Sequence, residues 1–590
     1  MTKINIDYCK VPTIDLKHLE TMFSPTTEDD EHQYNPFQIQ KLQKYQPIYS
    51  LFFEMTQTNY STINLKHQYH MHDLEKVLDI SGNILRSKPV FIKYSPLYDP
   101  TKYMVGKYQN ANYEPFFYEL PNLTSNENNC NKKVLSVNNS AYTDGFFSYL
   151  SSQLLNCHDF DNGIDYYGSY LGIQDKFKIN IADDYEYLNN STFFNNNIKK
   201  LFDVTQTESM QFMNYNSRGN KHKLNISSSQ LDLDNDIITI QTIDISTKND
   251  SEELDVVPPN EEFTAEMIYQ TEKPTGKQND SDSSDSDESC TTESDDLETQ
   301  DFENSSDIDE DGEETEEETE EETEDDSEDE TEENSDVAMY AYIHNFPIQL
   351  ICLEKCDGTL DALLENKLLN DDESLAALFQ IIITLLTYQK AYHFTHNDLH
   401  TNNIVYKETK STYLYYRYKK VLYRVPTFGR IFKIIDFGRS IYKYNGNVFC
   451  SDSFAPGGDA STQYNFEPFY DDKKPILSPN YSFDLCRLGT SIFDFILDID
   501  NMIADKDMSP FQKIIAKWCT DDLGKNILYK KNGEERYPNF KLYKMIARTV
   551  HEHIPEKQLE LPEFKKFEYT PKNKYQFNRI INIDKIPCYI

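Results

Sequence analysis

The stretch HFTHNDLHTNNIVY, residues 393–406, sets His396, Asp398, His400, Asn402 and Asn403 into otherwise apolar text. Short polar groups in such a setting are either hydrogen-bonded or chemically engaged, because burying them bare is costly. Further on, IIDFG (434–438) adds Asp436 followed by Phe437 and Gly438. The spacing H-x-D-x-x-x-x-N, then Asp-Phe-Gly, matches what phosphoryl transfer asks of a protein. That reaction needs a carboxylate to orient the acceptor hydroxyl, metal ions to neutralise phosphate charge, and a lysine on the phosphates. Asp398 fits the first role. Asn403 and Asp436 fit the second, and their oxygen donors suit Mg²⁺.

Several elements must position these residues. ESLAALFQIIITLLTYQKAYHF (373–394) reads as a long apolar helix that delivers the polar loop. GRIFKIIDFGRS (429–440) reads as part of a strand pair leading to Asp436, and SFDLCRLGTSIFDFIL (482–497) as a second apolar helix. Before the loop, FPIQLICLEKCDGTLDALL (346–364) gives a buried strand, a turn at Asp357–Gly358 and a helix. KPVFIKY (88–94) has the β-branched and aromatic content of a strand. AYTDGFFSYLSSQLL (141–155) places Phe146, Phe147, Leu150, Leu154 and Leu155 at helical spacing. GIDYYGSYLGI (163–173) and IITIQTI (237–243) return to strand character.

Taken in order, these motifs resemble the protein kinase superfamily. HNDLHTNN is similar to the catalytic loop and DFG to the metal-binding motif. The resemblance implies an α+β, two-lobed kinase-like fold with a long insertion in the small lobe. It makes Lys93 of VFIK the phosphate lysine and places adenine against the backbone near Glu354 and Cys356. Asp484 of FDLCRLG takes the structural role of anchoring the catalytic loop. His396 braces the loop near Phe437, while His400 either approaches the γ-phosphate or hydrogen-bonds to backbone. The implied cofactors are ATP and Mg²⁺, and the implied partner is a protein substrate phosphorylated on Ser or Thr.

The chain also departs from the family pattern. Asn397 stands where many kinases carry the arginine that docks an activation-loop phosphate, so the resemblance implies that this switch is not used. His400 replaces the usual lysine, and DLH resembles haspin-like kinases and small-molecule phosphotransferases. The span from Asn403 to Asp436 is long and reads as an enlarged hairpin. No G-x-G-x-x-G precedes Lys93, and no A-P-E closes the activation segment at about 436–480. The helix expected to supply a partner to Lys93 holds Asp144 and no glutamate; Asp144 is preferred over Glu114 and Glu119, which lie in loop-like text. With these departures the chain resembles the divergent serine/threonine kinases of large nucleocytoplasmic DNA viruses, mimivirus-like, which implies a place in the host cytoplasm or packaging in the virion.

The net charge of −43 is mostly local: residues 279–336 hold 32 Asp and Glu and no Lys or Arg. Such a tract argues against binding nucleic acid or anionic membrane, because phosphate recognition needs basic patches. With little apolar surface to offset the entropy of ordering, about 258–338 is expected to be disordered. The tract suits a basic protein partner, or phosphorylation at Ser281, Ser284 or Ser286. Ten cysteines without a C-x-x-C pair read as free thiols in a reducing compartment. The start MTKINIDYCK lacks a signal-peptide core, and no run of eighteen apolar residues occurs, so a soluble intracellular protein is expected.

The expected organisation is an N-terminal extension (1–75), the first part of the small lobe (76–175), an insertion (176–338), the fifth strand and hinge (339–356), and the large lobe with its tail (357–590). Two rival readings stand beside the protein kinase: a kinase-like phosphotransferase acting on a small molecule, and a weakly active kinase-fold scaffold that gathers basic proteins through its acidic tract.

Overall fold

The computed structural model describes residues 4–109, 114–205, 339–497, 507–571 and 579–590. All of them belong to one contact unit, Met1–Ile268 with Val337–Ile590, while the other unit, Tyr269–Asp336, lies outside them. The expected disorder at 258–338 and the strand expected at 237–243 also fall outside the described residues.

Both sides of the 206–338 span contribute to one five-stranded antiparallel sheet. Its strands are β1 (Ile39–Gln43), β2 (Val90–Pro96), β3 (Tyr166–Asn180), β4 (Phe202–Val204) and β5 (Tyr340–Glu354), in the order β1-β3-β5-β2, with β4 paired to the start of β5. Strand periodicity divides β5 between two cores. Phe346, Ile348, Leu350 and Cys352 enter one core, while Ile351 and Leu353 enter the other, as alternation across a doubly covered sheet requires. The same alternation sends Val90, Ile92 and Tyr94 of β2 into the first core and leaves Lys93 on the opposite face.

That face receives helix α1 (Ser140–His158). Asn139 caps its start by accepting the Ala141 N–H, and Asp159 ends it in the left-handed conformation. Phe146, Phe147, Leu150 and Leu154 of α1 join the larger core. After β5 come β6 (Gly358–Thr359), α2 (Leu360–Glu365) and α3 (Asp371–Tyr392). α3 starts in an Asn370/Glu373 capping box and stops at His393, whose φ of 48° turns the chain out of the helix. Among the described residues it is the one helix long and apolar enough to cross a membrane, and 94% of that window is buried inside the protein.

The polar loop then feeds β7 (Ile404–Glu408), the hairpin β8 (Tyr413–Tyr418) and β9 (Val421–Pro426), and β10 (Arg430–Ile434), which returns to pair with β7. The hairpin fills the long Asn403–Asp436 span. β11 (Ile441–Tyr444) and β12 (Asn447–Cys450) follow Asp436, and the main helices after them are α4 (Phe483–Ile496), α5 (Pro510–Trp518) and α6 (Lys541–Thr549), with short helical turns beyond.

Strand pairing joins both flanks of the 76–175 stretch to the main sheet. Within the stretch expected as an N-terminal extension, β1 pairs with β3 and forms an edge of the main sheet. The boundary expected between 175 and 176 falls inside a strand, since β3 runs on to Asn180. Residues 181–205 fold back so that β4 pairs with Ala341–Ile343. In both places pairing with long neighbouring strands supplies order that the local composition does not signal.

Candidate active site

Lys93 sits at the centre of the site. Its register partner on β5 is Ile351, and it points at α1. The Lys93 Nζ lies 2.6 Å from Asp144 Oδ2 and 2.7 Å from Asp436 Oδ1. Burial works against the Lys93 charge, but the two carboxylates outweigh it and hold its pKa above the ordinary lysine value. Burial likewise works to raise Asp436, and the ammonium of Lys93 reverses that, leaving it below the ordinary carboxylate value. Asp144 is 2% exposed, and its burial keeps its pKa raised despite Lys93. The other Asp144 oxygen accepts the Phe437 N–H at 3.0 Å, so one carboxylate on α1 fixes both the lysine and the Asp-Phe-Gly turn.

The turn itself is conformationally unusual. Asp436 has φ 64°, in the left-handed region that aspartate tolerates better than most side chains. Phe437 is buried against Phe147 at 4.6 Å and Phe394 at 5.9 Å between ring centroids. With its phenyl ring anchored below, the turn presents Asp436 to the cleft, where its side chain remains 44% exposed.

The polar loop is held from beneath by α4. Asp484 is fully buried and accepts the backbone N–H groups of His396 and Asn397, each at 2.9 Å. His396 packs 5.8 Å from Phe437; its Nε2 meets the Ile435 carbonyl at 2.9 Å and its Nδ1 accepts the Asp398 N–H. Asn397 (φ 65°) donates to the Arg439 carbonyl and accepts the Tyr464 hydroxyl at 2.8 Å. Through neutral hydrogen bonds it ties the loop to the segment after Asp436.

Asn403 donates from Nδ2 to the Asp398 carbonyl at 2.9 Å and to His400 Nε2 at 3.0 Å. These bonds use the amide nitrogen, and the Oδ1 has no hydrogen bond among the described residues. Burial lowers His400 to about 4 despite the pull of Asp398, so at neutral pH its imidazole is uncharged and accepts from Asn403. It therefore brings no positive charge to the site at neutral pH.

Asp398, Asp436, Asp144, Lys93, Gly438 and Arg439 line one cleft of about 260 Å³. The Asp398 carboxylate accepts from the Tyr543 hydroxyl at 2.7 Å and lies 3.7 Å from Arg439 Nη1. Burial works to raise its pKa, but Arg439, His400 and Arg487 together with the Tyr543 hydrogen bond drive it well below the usual carboxylate range.

Glu354 and Cys356 are not in that lining. They lie at the far end of β5, where Glu354 pairs with Val90, and the Glu354 carboxylate accepts the Asp165 N–H and meets Lys433 Nζ at 2.5 Å. That carboxylate is therefore committed to structure. A ligand there would have to use backbone instead, and the Cys356 N–H has no hydrogen-bond partner among the described residues. Sequence reasoning missed Tyr543 and Arg487, which α6 and α4 bring to Asp398, and Arg439, which follows Gly438 directly in the chain.

The oxygen donors present fit Mg²⁺. No group of three or more His, Cys, Asp or Glu side chains is arranged to hold a metal among the described residues. Mg²⁺ takes one or two protein oxygens and completes its shell with water and substrate phosphates, and the Asp436 carboxylate with the Asn403 amide oxygen suits that role. Comparison with models of known protein families gives no match, and comparison with curated proteins gives none either.

Proposed function

We propose that the chain is an ATP- and Mg²⁺-dependent serine/threonine-protein kinase with a two-lobed kinase-like fold. The observation that carries this reading is Lys93 bridging Asp144 and Asp436 on the wall of the cleft that Asp398 enters. A scaffold has no need of a lysine held between two carboxylates opposite a third.

On this reading each residue has a separate task. Lys93 steadies the nucleotide phosphates, with Asp144 keeping its ammonium in place. Mg²⁺, held by Asp436 and Asn403, supplies neutralisation of phosphate charge when bound. Asp398 orients the acceptor hydroxyl and takes its proton, while the acceptor oxygen bonds to the γ-phosphorus of ATP. The bond from that phosphorus to the β-bridging oxygen breaks, and ADP leaves. Positioned acid–base groups of this kind contribute ~10²–10⁴-fold to rate.

The test is transfer from [γ-³²P]ATP with Mg²⁺ to mixed acidic and basic protein substrates, wild type beside Asp398→Ala, with phosphoamino-acid analysis. The expected result is label on Ser or Thr that falls ~10²-fold or more in the variant while nucleotide binding persists. Equal labelling by both proteins would sink the assignment. Labelling of small alcohols and of no protein would move the acceptor to the small-molecule class.

A further inference from the structure

We propose that Tyr543 is a positioning residue for phosphoryl transfer: its hydroxyl fixes one oxygen of Asp398 and so aims the other at the acceptor. The proposal rests on the phosphotransferase reading above.

The direction of the hydrogen bonds follows from their chemistry. Arg487 Nε donates to the Tyr543 oxygen at 2.9 Å. A guanidinium only donates, so the tyrosine oxygen accepts there and its single proton is free for its other neighbour. That neighbour is Asp398 Oδ1, at 2.7 Å. The chain Arg487→Tyr543→Asp398 therefore runs one way. Asp398 Oδ2 makes no hydrogen bond among the described residues and is 3.7 Å from Arg439 Nη1. One carboxylate oxygen is tied and the other is left for a hydroxyl.

The phenol is itself held. Phe540 stacks on its ring at 5.2 Å with 12° between planes, and the guanidinium groups of Arg487 and Arg439 lie 5.1 and 5.8 Å from its centroid. Arg487 stands on α4 one turn after Asp484, which accepts the N–H groups of His396 and Asn397. One helix thus fixes the loop backbone through Asp484 and the loop carboxylate through Arg487 and Tyr543. Rotation of an aspartate carboxyl about its last torsion is otherwise soft. Without the hydroxyl, Oδ2 is free to swing toward Arg439. Misplacements of about 1 Å at a reacting group cost ~10²-fold in rate.

The Tyr543→Phe change tests this in the full chain, because it keeps the ring and removes only the hydroxyl. The expected result is a kcat lowered ~10-fold or more with KM for ATP within about twofold and an unaltered melting temperature. Arg487→Met lowers kcat in the wild-type background and adds little to Tyr543→Phe, since both act through the same hydroxyl. A phenylalanine variant with wild-type kcat, or one in which kcat, KM and melting temperature all worsen together, overturns the proposal. Full additivity of the two substitutions also overturns it. Absence of turnover in the wild-type chain overturns the phosphotransferase reading and takes this proposal with it, an outcome distinct from an active wild type with an equally active variant.

Discussion

At the residue scale, the site keeps charge and neutrality in separate places. Lys93, Asp144 and Asp436 form a compact ionic set, whereas His400 and Asn403, immediately beside Asp398, are joined by a neutral hydrogen bond. His400 carries a consequence for stability. Burial lowers its folded-state pKa to about 4, below the ~6.5 of an unfolded histidine. Between those values the unfolded chain binds a proton that the folded site refuses, so stability from this group is complete above ~6.5 and is lost as pH falls toward 4. Burial also lowers His67, His70, His158 and His553, so the comparison must isolate His400. Denaturant midpoints of wild type and His400→Gln at pH 7 and pH 5 should differ, with the wild type losing up to about 2 kcal/mol more on acidification. Equal losses in the two proteins would show that His400 is not held neutral by burial.

At the element scale, the segment after Asp436 anchors the helix that carries Asp144. Asp452 accepts the Ser140 N–H at 3.0 Å and meets Lys133 Nζ at 2.5 Å, and its own N–H donates to the Asn138 carbonyl. A carboxylate at a helix start satisfies an orphan donor and complements the positive end of the helix. Asp144 lies one turn further along α1 than Ser140, so loosening this end should loosen the grip on Lys93. Asp452→Ala should destabilise the protein by ~1–3 kcal/mol and raise KM for ATP several-fold, read by thermal melting and steady-state kinetics. Unchanged melting and KM would show that α1 is held by packing alone. The sequence revealed the elements more readily than their tethers. The β-branched and aromatic content of β2, the apolar run of β5 and the helical spacing around Phe146 and Phe147 were legible because local pattern and burial agree. β1, IQKLQ, was not, since only two of its five residues are apolar and its order comes from pairing with β3. Asp452 and Tyr543 were invisible because each meets its partner across more than a hundred residues, where no periodicity points.

At the scale of the whole molecule, deletion of the acidic tract tests whether the dense negative charge and the proposed chemistry are separable. The 32 acids of 279–336 lie in a span that leaves and re-enters the same sheet at adjoining points: the Thr205 N–H donates to the Tyr340 carbonyl at 3.0 Å, and the Tyr340 N–H to Thr205 Oγ1 at 2.9 Å. Because the two ends are already paired, shortening the connection removes no pairing of β3 with β5. Loop-closure entropy changes only with the logarithm of length, so deleting 258–338 should shift stability by less than about 1 kcal/mol, toward the shorter chain. If the chain is an enzyme whose site is the Lys93–Asp398 cleft, the deletion variant should transfer phosphate from [γ-³²P]ATP within about twofold of wild type. Its retention of a basic protein on a pull-down should fall, because the long-range field of the tract is gone. A variant that keeps its fold and loses turnover would make the tract part of the reaction. A wild type that captures basic protein without turnover, and loses capture on deletion, would replace the enzyme with a scaffold. Both arms use one variant and two readouts, and the set of Lys93 with Asp144, Asp398 and Asp436 in one cleft favours the first.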